Sequence, residues 1–185
     1  MKDENGEESL LTHSSAAVVP SASNSKPMYF PVSLTKFIVM HFCTLGLYQA
    51  YWFYKNWQLI QEREQSEDSP FWRTAFAFIY CYPLFEKIRS SAASLKSDQS
   101  IAVPILASGW ILFSFLSMLP EPYGLAAFLS ILFLLPIQQA ANSINESLVP
   151  GHDRNERLTA WNKVAIVIGG LLFIVVVIGM FVPRA

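Results

Sequence analysis

The chain has 185 residues, of which 52% are hydrophobic, 14% aromatic and only 15% charged, with a net charge of −1. Its mean hydropathy is positive, and this balance argues against an ordinary soluble domain. The Lys and Arg residues lie in short clusters near the borders of apolar runs and form no basic stripe, which excludes nucleic acid as an expected partner. Composition therefore predicts an integral membrane protein whose main partner is the lipid bilayer.

Residues 1–28 are poor in large apolar side chains and rich in Ser, Ala, Glu and Asn. Such a segment cannot bury enough surface to offset the entropy of ordering, so we predict a disordered N-terminal tail. Its short apolar stretch, Ala16 to Val19, ends at Pro20 and does not form the core of a signal peptide. The transmembrane helical domain is accordingly expected at residues 29–185, and its first span is expected to target the chain.

The first span is predicted at residues 32–57. The apolar run VSLTKFIVMHFCT is followed by LGLYQAYWFYKNW, in which Trp52 and Trp57 belong at the level of the lipid headgroups. Lys36 lies near the start of this span, where a lysine is expected to extend its amine to the membrane surface. The polar residues that follow Trp57 predict an amphipathic continuation of the helix into water.

The same region carries a family resemblance. The segment FPVSLTKFIVMHFCTLGLYQAYWFYKNWQLIQERE, followed by SPFWRTAFAFIYCYPLFEKI, resembles a group of uncharacterised bacterial inner-membrane proteins that share a YWFYKNW and SPFWR pattern. The resemblance covers roughly residues 29–90. It implies a multi-pass protein of the bacterial inner (cell) membrane, and it implies no activity, cofactor or site residue.

Three further long spans are predicted, at residues 101–119, 123–145 and 162–182. The first and last contain uncharged runs of nineteen residues, which as helix would measure about 28 Å and match the hydrocarbon thickness. The middle one contains Pro136, which is expected to bend it. Only Pro120, Glu121 and Pro122 separate the spans 101–119 and 123–145, so we expect these two to form an antiparallel hairpin.

A shorter apolar element is predicted at residues 70–88, starting with Ser69 and Pro70. Its uncharged run, Thr74 to Phe85, is short for a membrane span and is typical of a membrane-embedded or buried helix. The predicted fold is therefore an all-α polytopic membrane helix bundle with four full spans plus one short membrane-embedded helix. Five spans are the alternative, and the positive-inside rule does not separate the two because both give the same split of Lys and Arg.

Polar residues inside the predicted spans are the candidates for a functional site. Gln138, Asn142 and Asn145 share one face of the third long span, and Gln49 and Asn56 share one face of the first. Because unsatisfied amides are costly in hydrocarbon, this candidate polar intramembrane face must meet another helix, a water-filled cavity or the headgroup layer. We predict that the two amide faces meet each other; a wet interfacial patch and a ligand or ion path are the alternatives.

His41 is the candidate buried ionisable residue, since it lies one to two turns inside the first predicted span. A neutral imidazole donating to a backbone carbonyl is the commoner arrangement for such a residue. Ala165 and Gly169 in the last predicted span form a small-xxx-small pair, which favours close helix packing.

An internal duplication is a further hypothesis. Shifting the chain by 89 residues superimposes several identical residues: Leu45 on Leu134, Gln49 on Gln138, Asn56 on Asn145, Glu67 on Glu156 and Trp72 on Trp161. Repeats of this kind build many transporters. Coincidence between two apolar, compositionally biased halves is the alternative.

No catalytic or metal-binding signature was found in the sequence. It contains no nucleophile elbow, phosphate loop, HExxH or Cys-pair motif, and Cys43 and Cys81 are interpreted as packing residues. The polar loop Gly151 to Arg157 is typical of a cytoplasmic connection between spans. The sequence thus predicts no cofactor and a non-catalytic accessory, scaffold or regulatory membrane protein; a small transporter or channel, which would need to form a homo-oligomer, and a membrane-embedded lipid enzyme are the alternatives.

Overall fold

The computed structural model describes residues 26–95, 100–120 and 123–181. All regular secondary structure in these ranges is helical. The α-helices are α1 (Leu34–Cys43), α2 (Leu47–Glu64), α3 (Pro70–Ala75), α4 (Ala77–Ser94), α5 (Val103–Phe115), α6 (Ile131–Leu148) and α7 (Ala160–Phe181), and 3-10 helices occupy Leu116–Met118 and Tyr123–Ser130. Most of the predicted disordered tail, residues 1–25, and two residues of the predicted Pro-Glu-Pro turn lie outside the described part of the chain.

The stretch predicted as one span at 32–57 contains two helices, α1 and α2. Leu45 and Gly46 both have positive φ, 51° and 88°, so α1 ends before these two residues and α2 begins after them. The Gly46 N–H donates to the His41 carbonyl at 2.8 Å and the Leu45 N–H to the Phe42 carbonyl at 3.2 Å. This is the Schellman pattern of a helix C-terminus, with Leu45 at the left-handed position that glycine usually occupies; Gly46, which lacks a Cβ, takes the second positive φ.

The stretch predicted as one short helix at 70–88 likewise contains two helices, α3 and α4. Ser69 is the N-cap of α3 and Pro70 occupies its first turn, as predicted. An interruption at Phe76 separates the two helices, and α4 then continues to Ser94, beyond the predicted end. The short helix α3 is attached to α2 by Arg73, whose guanidinium lies 4.4 Å from the centre of the Trp57 ring.

Two helical stretches are long and apolar enough to cross a membrane: Tyr123–Leu148, with 26 residues, and Ala160–Gly179, with 20 residues. The apolar helices Leu34–Cys43 and Val103–Met118 are shorter. In the most apolar 18-residue stretch of Tyr123–Leu148, 39% is buried inside the protein, whereas none of the corresponding stretch of Ala160–Gly179 is buried. Two such helices are a weak indication of a membrane protein.

The core lies between α2, α4, α5 and α6, and α7 packs on the outside against α1. The α1–α7 contact is close at Gly169, where an added Cβ would lie 1.5 Å from the carbonyl oxygen of Cys43. Next to it, the rings of Phe42, Phe128 and Phe173 form a cluster with centroids 5.1–5.8 Å apart. Absence of a side chain at Gly169 therefore sets the distance between α1 and α7.

Candidate functional site

An extended segment, residues 28–32, precedes α1 and runs through the middle of the bundle. Tyr29 and Val32 have no exposed surface and Phe30 is 8% exposed. The segment belongs to no helix or strand, so its buried N–H and C=O groups need partners from side chains. These partners are mainly the amides that the sequence marked as candidates.

Asn145 and Asn56 bind the backbone of two consecutive residues of this segment. The Tyr29 N–H donates to Asn145 Oδ1 at 3.0 Å, and Asn145 Nδ2 donates back to the Tyr29 carbonyl at 2.8 Å. The Phe30 N–H donates to Asn56 Oδ1 at 3.0 Å, while Asn56 Nδ2 donates to the Trp52 carbonyl within α2 at 2.9 Å. Asn145 thus replaces the neighbouring strand that an extended residue would have in a sheet.

Gln138 and Asn142 bind the carbonyls further along the segment. Gln138 Nε2 lies 3.2 Å from the Phe30 carbonyl and 3.3 Å from that of Val32, and it donates to Asn142 Oδ1 at 2.7 Å. Asn142 Nδ2 donates to the Val32 carbonyl at 2.9 Å. Trp52 Nε1 on α2 donates to Gln138 Oε1 at 2.5 Å, so the Gln138 amide is bonded at both of its ends.

The structure therefore places α2 and α6 on opposite sides of segment 28–32. In the described part of the chain, no hydrogen bond joins Gln49 or Asn56 directly to Gln138, Asn142 or Asn145. Instead, α2 and α6 are connected through Trp52 and through the backbone of the segment. We name this set of four amides, Asn56, Gln138, Asn142 and Asn145, the amide cradle.

Two further side chains, outside the amide cradle, bind the same segment and were not identified from the sequence. Asn155 Nδ2 donates to the Pro31 carbonyl at 3.1 Å, and Arg63 Nη1 donates to the Met28 carbonyl at 2.8 Å. Asn155 lies in the 151–157 loop, where a polar residue usually faces water. Pro31 was the available signal, because a proline between large apolar residues, outside any helical pattern, predicts an extended segment that lacks one donor.

The side chain of Tyr29 fixes the start of the segment to α4. Its hydroxyl lies 3.0 Å from the Lys87 carbonyl and 2.9 Å from Ser91 Oγ, and the Arg63 guanidinium lies 5.4 Å from the centre of its ring. Burial raises the pKa of the Tyr29 phenol above its ordinary value. The hydroxyl is therefore a permanent hydrogen-bond donor at neutral pH.

His41 and Gln49 form a second polar cluster at the junction of α1 and α2. His41 Nε2 is 3.0 Å from the Phe128 carbonyl, and Nδ1 is 2.9 Å from Gln49 Nε2. Gln49 Nε2 also donates to Ser130 Oγ at 2.9 Å, and Gln49 Oε1 accepts from Trp110 Nε1 at 2.6 Å. Since a carbonyl only accepts, the hydrogen of His41 is on Nε2 and Nδ1 accepts from the Gln49 amide, which fits a neutral imidazole.

A pocket of about 270 Å³ opens beside this cluster. It lies at the Leu45–Gly46 interruption and combines polar groups with the backbone of the helix ends. Its polar lining consists of His41, Gln49, Ser114, Ser117 and Ser130.

Two of the residue pairs related by the 89-residue shift accept similar hydrogen bonds. Gln49 and Gln138 each accept a hydrogen bond from a tryptophan indole, Trp110 in one case and Trp52 in the other. Asn56 and Asn145 each accept a backbone N–H of segment 28–32. The similarity is limited to the hydrogen bonds that these side chains accept, and the internal duplication stays a hypothesis.

The ionisable residues outside these clusters are mostly exposed and paired with one another. Arg73 pairs with Asp68 and Arg89 with Glu86; Lys87 pairs with Glu64 at 2.7 Å, and Arg154 with Glu146 at 2.9 Å. Glu146 raises the pKa of the Arg154 guanidinium. Within the described ranges no group of three or more His, Cys, Asp or Glu residues is placed to hold a metal ion, and Cys43 and Cys81 are free thiols.

No family model matches the chain, and neither the curated proteins nor the solved structures include one detectably similar to it.

Proposed function

We propose that the chain is a non-catalytic integral membrane protein of the bacterial inner membrane that acts as an accessory, scaffold or regulatory subunit through helix packing. One observation carries this proposal: the amides of the predicted polar face are bonded within the chain. Asn145 uses both its oxygen and its nitrogen on Tyr29, and Gln138 is bonded by Trp52 on one side and bonds carbonyls on the other. Both the oxygen and the nitrogen of each of these two amides are therefore engaged within the chain.

The burial of these amides supports packing in the same way. Asn56, Gln138 and Asn145 have no exposed surface, so water does not reach them. A transport path requires polar groups that exchange partners with the solute, whereas a fully satisfied buried network fixes one arrangement of the helices.

The predicted four-crossing topology counts α1 and α2 as one crossing, but α2 folds back beside α1: Lys26 pairs with Glu62 at 2.8 Å, and the Phe37 and Trp52 rings lie 5.7 Å apart, where a straight helix would separate these two residues by about 22 Å. We propose instead that α1 and α2 enter and leave the membrane on one side, that α5, the 3-10 helix with α6, and α7 cross it, and that α3 and α4 form a membrane-embedded element.

A full crossing by α3 and α4 is the alternative. Reporter enzymes fused after Gln65 and after Lys96 separate the two, because α3 and α4 lie between the fusion points. Same-side signals are expected, and signals from opposite sides would show that α3 and α4 cross.

The packing role is tested with purified protein in liposomes. Ion and solute flux through the wild type should equal that of empty liposomes, and Gln138→Ala should lower thermal stability without changing flux. A flux in the wild type that disappears in a folded Gln138→Ala variant would contradict the packing role and favour transport.

A small oligomeric transporter is the second candidate, and the α1–α2 interruption is the observation that favours it. Interrupted helices beside a polar pocket are typical of substrate sites in transporters, and the pocket at Leu45–Gly46 has His41 and Gln49 in its lining. The matched test is Ser114→Ala, which changes the lining of this pocket and leaves the amide cradle intact. Flux altered by Ser114→Ala and not by Gln138→Ala would place a path at the interruption.

A further inference from the structure

Lys36 does not reach the surface as expected for a lysine near the start of a span. It is 4% exposed, and its Nζ donates to Asn155 Oδ1 at 2.8 Å and to the Arg157 carbonyl at 2.9 Å. Both acceptors are neutral, and Lys36 forms no ion pair with a carboxylate of the described residues. Asp153, exposed on the loop, attracts it only through space. A buried cation without a contacting anion is costly.

A pocket of about 420 Å³ adjoins this lysine. It lies between α1, α2, the end of the 151–159 loop and the start of α7, and its lining contains no Asp or Glu. The lining residues are Lys36, Met40, Tyr48, Tyr51, Asn155, Thr159, Trp161, Asn162 and Ala165.

Hydrogen-bond donors in this pocket include those of Lys36, Tyr48 and Thr159. Tyr48 is 6% exposed. Lys36 has three N–H donors, of which two are bonded. Thr159 accepts the Asn162 N–H at 3.3 Å, which leaves its hydroxyl hydrogen available at the N-terminus of α7, where the helix dipole favours negative charge.

We propose that this pocket binds the phosphate group of an anionic ligand, with Lys36 as the charged contact and Tyr48 as a neutral donor. A cation held by neutral acceptors, a phenol in the lining and a lining without carboxylates together match a phosphate oxyanion and no cationic ligand. A phosphate would supply the contacting negative charge that Lys36 lacks.

A lipid headgroup is the source that the surroundings favour. Trp161 lies at the pocket and is 82% exposed, and Tyr51 is 45% exposed, which is the amphipathic pair of rings found where a membrane meets water. The exposed apolar length of α7 begins at the same level. The choice of a lipid rests on the membrane location proposed above, whereas phosphate binding itself does not.

The test is calorimetric titration of the full-length protein in neutral detergent. Dihexanoyl phosphatidylglycerol, dihexanoyl phosphatidylcholine and inorganic phosphate are the three probes. The phosphatidylglycerol is expected to bind at least tenfold more tightly than the other two, and Lys36→Met should weaken its binding at least tenfold. Lys87→Met, the same substitution at an exposed lysine paired with Glu64, should leave the affinity unchanged.

Two further results decide between explanations. Asn155→Ala removes one of the two bonds between Lys36 and the loop but keeps the charge, so it should retain the phosphatidylglycerol; equal losses in Asn155→Ala and Lys36→Met would overturn the proposal in favour of a loop anchor. Unchanged affinity in a folded Lys36→Met variant would also overturn it. Inorganic phosphate that binds as tightly as the lipid, and competes with it, would support the oxyanion site and overturn the lipid source.

Discussion

The amide cradle and the surface of α7 differ in what they bury. Asn56, Gln138 and Asn145 are completely buried between α2 and α6, while Leu171 and Val175 on α7 are 61% and 65% exposed. In a protein surrounded by water the amides would be the exposed group and the leucine and valine the buried one. The arrangement suits an apolar surrounding, in which hydrogen bonds must be completed inside the protein and apolar side chains need no cover.

The two regions also use different means to hold helices together. The cradle joins α2 and α6 through directed bonds to segment 28–32, whereas α7 touches α1 through a glycine and a cluster of rings. Directed bonds fix the register of the helices, and close packing fixes their separation. Substitutions in the two regions should accordingly have different sizes and different readouts.

The largest effect is expected for Asn145→Leu. This change leaves both the N–H and the C=O of buried Tyr29 without partners, and we expect it to lower the free energy of unfolding by about 2–5 kcal/mol. Denaturation in detergent monitored by circular dichroism provides the measurement. Gln139→Leu on the exposed side of the same helix is the control; equal losses in the two variants would remove the distinction between cradle and surface.

Leu171→Lys tests the surrounding of α7. A lysine in the middle of a membrane-spanning helix adds about 2.5–3.5 kcal/mol to the cost of insertion, so the fraction of protein resistant to alkaline extraction from membranes should fall. Leu158→Lys adds the same charge at a 40% exposed leucine of the preceding loop and should have no effect. If Leu171→Lys is extracted no more readily than the control, α7 does not lie in lipid.

Gly169→Ala tests the separation of α1 and α7. The new methyl group would meet the Cys43 carbonyl, a backbone atom that cannot move aside, and overpacking of this kind costs about 1–3 kcal/mol. Gly170→Ala is the adjacent control, since its added carbon would lie 3.8 Å from Cys43 Sγ, an ordinary contact. Thermal unfolding should separate the two variants by several degrees, and identical midpoints would show that α7 moves freely against α1.

The smallest effect is expected for Glu62→Gln on the exposed part of α2. Lys26 donates to Glu62 at 2.8 Å and lowers the pKa of that carboxyl below its ordinary value. Because the folded pKa is depressed, any stabilisation is present above the unfolded pKa and is lost as the pH falls through the folded value. The melting midpoints of wild type and variant should differ slightly at pH 7 and converge at acid pH; a difference as large as that of Asn145→Leu would be contrary to a weak surface pair.

The all-helical class was predictable from the sequence because long apolar runs determine it, and α7 overlaps the span predicted at 162–182. The sequence also identified the amides, since Gln138, Asn142 and Asn145 recur at helical spacing. Their partners were not predictable in this way, because an extended segment has no periodicity and the distances in sequence exceed 100 residues. Gly46 was a helix-stop signal, yet the apolar residues on both sides of it favoured one continuous span.

The long separation in sequence of these contacts determines when they can form during synthesis of the chain. Tyr29 emerges from the ribosome 116 residues before Asn145, an interval of roughly 6–23 s at ordinary elongation rates. During this time the backbone of segment 28–32 lacks four of its partners, namely Gln138, Asn142 and Asn145 of α6 and Asn155 of the loop after it. The amino-terminal segment therefore docks after the carboxyl-terminal half has been made, and its docking closes the bundle as a late step of biogenesis.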